Sequence, residues 1–233
     1  MMAPDNKIGW EKFVCHLLSR MFYLYEVKVN QPQVAGKMFA DGWRKCSVQE
    51  SFGRYTSVNS LAKKMNALDY NPIDQKKCIQ EAGDWLASQL KAFAPEVFKD
   101  FQAILVGNSL PSYSQLEFEE DNYQPTNFTS FLTFTMFNFE NKPHKDHDLN
   151  KWTLVGWIPI FHPNKNIHQS LLANEGFDMV GGQFTFRDMR VALDFTRFSG
   201  VTLCIFRSTE FLHQTLKGKS HSKIIPGLGF LAK

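Results

Sequence analysis

The chain has 233 residues, 43% hydrophobic and 21% charged, so it is long enough to bury a core and too balanced in composition for intrinsic disorder. Its net charge of +3 permits a nucleic-acid partner without demonstrating one. The four cysteines, Cys15, Cys46, Cys78 and Cys204, form no C-x-x-C pair, which argues against a zinc knuckle or disulfide framework and for a reducing compartment.

Along the chain, Trp10, Phe13, Val14, Leu17, Leu18, Met21 and Tyr25 recur at helical spacing, which predicts an amphipathic first helix. His16, Ser19 and Arg20 interrupt the apolar core that a signal peptide needs, and no stretch approaches the roughly 20 apolar residues of a membrane span. The expectation is an intracellular protein with no membrane partner. Residues 30–57, punctuated by Pro32, Gly36, Gly42 and Gly53, read as loops with at most a short strand. A second helix is expected from Asp74 as its N-cap, burying Cys78, Ile79, Ala82, Trp85, Leu86 and Leu90 and ending at Ala94-Pro95. Pro95 then opens a third, whose buried stripe is Val97, Phe98, Phe101, Ile104 and Leu105.

Beyond Pro111 the period changes to two. Leu132, Phe134 and Met136 alternate with Thr133, Thr135 and Phe137, and further strands are expected at 153–161, 183–186, 190–195 and 201–207. The segment from His162 to Val180 is the longest loop expected in this half. Such spacing suits a jelly-roll-like sandwich or barrel. With no repeat and no Pro/Ser-rich linker, residues 1–233 read as a single domain of α+β class. Its N-terminal helical layer spans about 1–105 and its β core about 106–233.

The chemistry concentrates in Asn141-Lys142-Pro143-His144-Lys145-Asp146-His147-Asp148, just past a strand. On an extended chain the H-x-D spacing of His144 and Asp146 points an imidazole and a carboxylate the same way, supplying two ligands of a 2-His-1-carboxylate triad. His213, beyond the strand at 201–207, is the candidate third ligand. Such a triad leaves iron positions open for a 2-oxo acid and oxygen. A cation downstream could answer the distal carboxylate of 2-oxoglutarate. Lys223 is the first choice, with Lys219 and His221 behind it and Ser222 as a hydrogen-bond donor. Asn138 is a further candidate contact to the co-substrate, or a backbone cap at a strand end.

Plainer readings stand beside these. An H-x-D arises easily by chance in a chain with seven histidines, and what lifts this one is the order strand, H-x-D, Gly181-Gly182, strand, His213, basic residue. His147 reads as solvent-facing. The pairs Arg44-Lys45, Lys63-Lys64 and Lys76-Lys77 could meet phosphates, although solvated helix faces explain such pairs more often.

The run Asn138-Phe139-Glu140-Asn141-Lys142-Pro143-His144-Lys145-Asp146, the Gly181-Gly182 pair and Ser208-Thr209 leading to His213 resemble the 2-oxoglutarate and Fe(II)-dependent dioxygenase superfamily, in particular fungal members of its TET/JBP group. The likeness covers roughly residues 105 to 225. It implies a C-terminal double-stranded β-helix (jelly-roll) buttressed by the N-terminal helices, with His144, Asp146 and His213 as catalytic metal ligands. It also implies Fe(II), 2-oxoglutarate and O2, and hydroxylation coupled to oxidative decarboxylation of the co-substrate. The implied substrate is 5-methylcytosine in DNA or RNA, which would place the protein in the nucleus. The arginine that many members carry after the distal histidine has no counterpart here, so Lys223 stands in for it. Asp148 and Asn150 are polar neighbours for a base, and Tyr123 and Trp152 candidate stacking platforms. The alternatives are the same chemistry on a protein side chain or small molecule, and a non-catalytic reader that kept the fold.

Overall fold

The computed structural model describes residues 4–27, 33–44, 53–56, 58–67, 71–115, 122–161, 170–173, 179–220 and 224–233. Among the described residues the α-helices are α1 (Pro4–Tyr23), α2 (Val58–Ala67), α3 (Pro72–Phe93) and α4 (Pro95–Gly107). The apolar stripes expected for α1, α3 and α4 largely face the core, except that Tyr25, beyond the end of α1, and Cys78 on α3 are exposed. The N-cap of α3 is Asn71 rather than Asp74: the Asn71 carboxamide oxygen accepts from Ile73 N at 3.0 Å and Asp74 N at 3.4 Å. Asp74 instead occupies the first turn, where its charge meets the positive end of the helix dipole. No helix among the described residues is long and apolar enough to cross a membrane.

The strands are β1 (Gln33–Arg44), β2 (Gly53–Arg54), β3 (Phe131–Asn141), β4 (Trp152–Phe161), β5 (Met179–Gly181), β6 (Phe184–Phe186), β7 (Val191–Leu193), β8 (Thr202–Arg207), β9 (His213–Thr215), β10 (Gly218–Ser220) and β11 (Ile224–Ala232). They form a six-stranded sheet of order β2-β1-β3-β11-β4-β8, a three-stranded sheet β7-β6-β9 and a ribbon β10-β5. All of the pairings are antiparallel. The fold is thus mixed α/β, with antiparallel sheets and helices towards the N-terminus.

The loop expected at residues 30–57 is not what the chain forms. Residues 30–57 contain a twelve-residue strand, β1, and its partner β2, so the helical layer is interrupted by strands that join the large sheet. The glycines that suggested loops are bends within β1: Gly36 has φ +77°, and a Cβ there would lie 2.5 Å from the Phe139 Cα. Opposite it, β3 carries a bulge. From Met136 to Glu140 it spends four residues where β1 spends two, Lys37 to Ala35, and Phe137 (φ 62°) and Asn138 (φ 56°) adopt left-handed backbone.

Side-chain parity separates the two faces of the large sheet. Leu132, Phe134 and Met136 of β3, Leu154, Ile158 and Ile160 of β4, and Leu228 and Phe230 of β11 pack against the helices. Phe230 meets Trp10 at 6.0 Å and Phe13 at 5.1 Å between ring centroids. The opposite row, including Val155 and Trp157 of β4 and Phe206 of β8, packs on Phe184 and Phe186 of the small sheet and on Phe195 of the 3-10 turn. α1 is locked to β1 by a buried ion pair, with Arg20 Nε and one terminal nitrogen on Asp41 Oδ2 and Oδ1 at 2.6 and 2.9 Å. Tyr113 donates to the same carboxylate at 3.4 Å and lies 2.8 Å from His16 Nε2.

The strand expected at 190–195 is only β7, because Asp194 caps a 3-10 turn at Phe195–Arg197. Within the loop expected at 162–180, residues 162–169 and 174–178 lie outside the described residues, Leu172 bridges Ile160, and β5 begins at Met179. The Gly181-Gly182 pair closes the β5–β10 ribbon. Both have positive φ, and a Cβ on Gly181 would sit 2.3 Å from the Lys217 carbonyl oxygen.

Candidate metal centre

The segment after β3 is pinned by its backbone to the start of β9 and the turn before it. His144 and His213 exchange N–H to O=C hydrogen bonds in both directions, each 3.0 Å, and Asp146 N donates to Ser208 O at 3.0 Å. Ser208 is itself fixed by Thr153, whose hydroxyl donates to Ser208 Oγ at 2.7 Å. This pairing brings residues 69 positions apart in sequence into one cluster: a ligand atom of each of His144, Asp146 and His213 lies within 4.8 Å of the others. His144 Nε2 is 3.5 Å from Asp146 Oδ1, and His213 Nε2 is 3.7 Å from Asp146 Oδ2.

The ring orientations suit a metal ligand. His144 Nδ1 lies 2.9 Å from Lys142 O, and His213 Nδ1 lies 2.9 Å from Phe211 O. A carbonyl only accepts, so each Nδ1 carries the proton and each Nε2 lone pair faces the carboxylate. Burial holds the His213 imidazole below its ordinary pKa against the pull of Asp146, which keeps it neutral. Burial pushes the Asp146 carboxyl up, but the Lys233 ammonium, with His213 and His144, more than reverses this and holds it below its ordinary value. Two imidazoles and one carboxylate make a donor set that fits a divalent ion such as Fe(II).

The cluster opens on a cavity of about 250 Å3 walled by Tyr55, Phe131, Phe139, Trp157, Phe184 and Phe206, with Thr133, Thr135, Asn141 and Thr215 among its polar groups. A family model described as the Tet-like 2OG-Fe(II) oxygenase superfamily matches residues 3–218. The chain belongs to that superfamily. It is a 2-oxoglutarate-dependent dioxygenase, with Fe(II) as cofactor and 2-oxoglutarate and O2 as co-substrates. No curated protein matches it. Among solved structures it is similar to a prolyl-4-hydroxylase from Pseudomonas putida, at 10% identity and a TM-score of 0.34, over 99% of this chain and 88% of that one.

The other residues singled out in the oxygenase's sequence fall in different places. Asn138 lines a small annex of about 40 Å3, which shares Thr135, Phe139, Trp157, Thr215 and Gly229 with the main cavity. Lys219 is exposed on β10, whereas His221, Ser222 and Lys223 lie outside the described residues. His147 is exposed. Asp148 lines the main cavity, but Asn150 is spent capping Trp152 N at 3.0 Å. Neither Tyr123 nor Trp152 lines that cavity. The Tyr123 hydroxyl donates to Leu110 O at 3.0 Å, and Trp152 lies under Arg207 and donates to Asp100 at 3.2 Å. The aromatic wall is instead built by strand residues of inward parity and by Tyr55, next to β2. Of the basic pairs, Lys64 reaches the Leu24 carbonyl and sits 4.1 Å over the Tyr25 ring, and Lys77 lies 3.9 Å from Glu81.

One charged group at the cluster escaped the sequence reading. Lys233 places its ammonium 2.6 Å from Asp146 Oδ2 and in contact with Asp148. Its only sequence signal is parity, since it follows Gly229 and Leu231 on the cavity side of β11.

Proposed function

We propose that the protein oxidises the methyl group of 5-methylcytosine in nucleic acid, with His144, Asp146 and His213 holding Fe(II). In this reading residues 1–233 form one oxygenase domain, and the six- and three-stranded sheets are the two walls of a double-stranded β-helix. Lys223 answers the distal carboxylate of 2-oxoglutarate, with Ser222 and Asn138 as further contacts, and the protein works in the nucleus. The observation that carries the proposal is the convergence of three ligand atoms on an aromatic-walled cavity in a chain of the Tet-like superfamily.

Iron, when bound, supplies activation of oxygen coupled to decarboxylation of the 2-oxo acid. The chain's own residues do the rest. The paired backbones of residues 144 and 213 hold the two imidazoles, and the Phe184 and Phe206 rings packed at 5.8 and 4.9 Å from His213 keep water from it. Tyr55 and Phe131, 5.4 Å apart and tilted by 59°, offer the faces on which a flipped base can stack. That stacking offsets the few kcal/mol, roughly, that it costs to take a base out of a duplex.

The test is to incubate methylated DNA and RNA with the anaerobically loaded enzyme, 2-oxoglutarate and oxygen, then digest and quantify 5-hydroxymethylcytosine and its further oxidation products. If none forms while a peptide or small molecule stimulates succinate release, the nucleic-acid substrate is wrong and the oxygenase chemistry stands.

A further inference from the structure

We propose that Lys233 is a positioning residue for the metal centre: it engages Asp146 Oδ2 so that the carboxylate offers the metal one oxygen rather than two. The inference rests on the ligand assignment proposed above.

The Lys233 side chain is only 2% exposed. An ammonium so deeply buried is uncommon and is tolerated only where it is paired. Its partners are two carboxylates, Asp146 at 2.6 Å and Asp148, which would repel each other if left alone. The backbone keeps the lysine in place, because its carbonyl oxygen accepts from Ser130 N at 3.1 Å and from the Thr129 hydroxyl. The side chain therefore reaches the site from a strand end that is itself anchored, which a surface lysine drawn to a nearby acid would not need.

The consequence is chemical. A carboxylate with both oxygens free can close on a metal through both and occupy a position that a chelating 2-oxo acid requires. Oδ2 is the oxygen nearer His213 Nε2, at 3.7 Å, and with that oxygen held by Lys233, Oδ1, 3.5 Å from His144 Nε2, is the one left to the metal. The lysine thus trades a repulsive charge near a cation for an open coordination position, as partners beyond the ligand shell do in tuning metal sites. Losing it should harm co-substrate chelation more than metal affinity.

The experiment compares the full chain with Lys233→Met and Lys233→Arg. Co(II) binding is read from its visible absorbance, and 2-oxoglutarate binding to the anaerobic Fe(II) protein from the charge-transfer absorbance of the chelate. The expected result is that Lys233→Met binds Co(II) as tightly as wild type or more tightly, with an altered Co(II) spectrum, while its 2-oxoglutarate affinity falls by about tenfold or more. Lys233→Arg recovers most of the loss. Should Lys233→Met fail to fold, Asp148→Asn, which removes one partner of the ammonium, is expected to shift the same two readouts less far. Unchanged 2-oxoglutarate affinity in the variant that folds, or a loss confined to metal affinity, overturns the proposal. If Asp146→Ala binds Co(II) as wild type does, the ligand assignment itself is wrong and the role of Lys233 falls with it.

Discussion

His144 and His213 are hydrogen-bonded to each other through their backbones, N–H to O=C in both directions at 3.0 Å, so main chain rather than side chain sets the 4.4 Å separation of their rings. Truncating a ligand side chain therefore leaves the scaffold standing. Asp146→Ala is expected to keep a cooperative unfolding transition while iron-dependent succinate release falls to background, since water cannot replace the carboxylate. Metal content and turnover measured on the same preparation check this. Normal turnover at wild-type iron occupancy would sink the assignment of the ligands.

The co-substrate anchor divides two lysines. Lys219 is exposed on β10, so Lys219→Met should leave turnover unchanged. Lys223→Met removes a charge-assisted contact worth about 1.5–3 kcal/mol, which raises the 2-oxoglutarate concentration for half-maximal turnover by roughly ten- to hundredfold. Lys223→Arg should keep part of the function. Titrations of 2-oxoglutarate against the three variants decide it, and the reverse pattern would mean that Lys219 is the anchor.

Arg20 and Asp41 join α1 to β1 with both groups out of solvent, at 1% and 7% side-chain exposure. Arg20→Met leaves the Asp41 carboxylate buried without its cation, and the expected cost is about 3–5 kcal/mol of folding stability. Urea unfolding measures it. A loss below about 1 kcal/mol, typical of a solvent-exposed pair, would show that the pair is not buried in solution.

His16 makes the same region sensitive to acid. Burial holds its imidazole at about 4, well below the ordinary 6.5, with Asp41 pulling the other way and Arg20 reinforcing the drop. The unfolded chain takes up the proton first as pH falls. The stability tied to neutral His16 is therefore complete above pH 6.5 and lost on the way down to pH 4, up to about 3 kcal/mol. His16→Gln should flatten the unfolding free energy across that window relative to wild type. Parallel pH profiles for the two proteins would count against it.

Some of this architecture was legible in the residues and some was not. The stripes of α1, α3 and α4 show at helical spacing because each helix buries one face in the shared core. The triad shows because His144 and Asp146 are neighbours on extended chain and His213 follows a strong strand. β1 was hidden by Gly36 and Gly42, whose positive φ values belong to bends inside a strand rather than to loops. The Arg20–Asp41 pair joins positions 21 apart, and no local pattern announces it. Lys233 is one basic residue after an apolar strand, and only its pairing partners reveal that it points inward. Trp152 falls outside the cavity because proximity to the H-x-D in sequence says nothing about which face of a strand a ring occupies.

The bulge in β3 sets a rule for which length changes this protein can absorb. Its two extra residues equal one full pleat repeat, so Phe139 and Asn141 face the cavity on the same side as Thr133 and Thr135. Removing either Phe137 or Asn138 alone would turn Asn141 to the opposite face and carry the H-x-D with it. Removing both would keep the faces and leave Glu140 opposite Ala35, with two residues of β3 facing two of β1 in a regular ladder. Viable length variants of this segment should therefore differ by even numbers of residues.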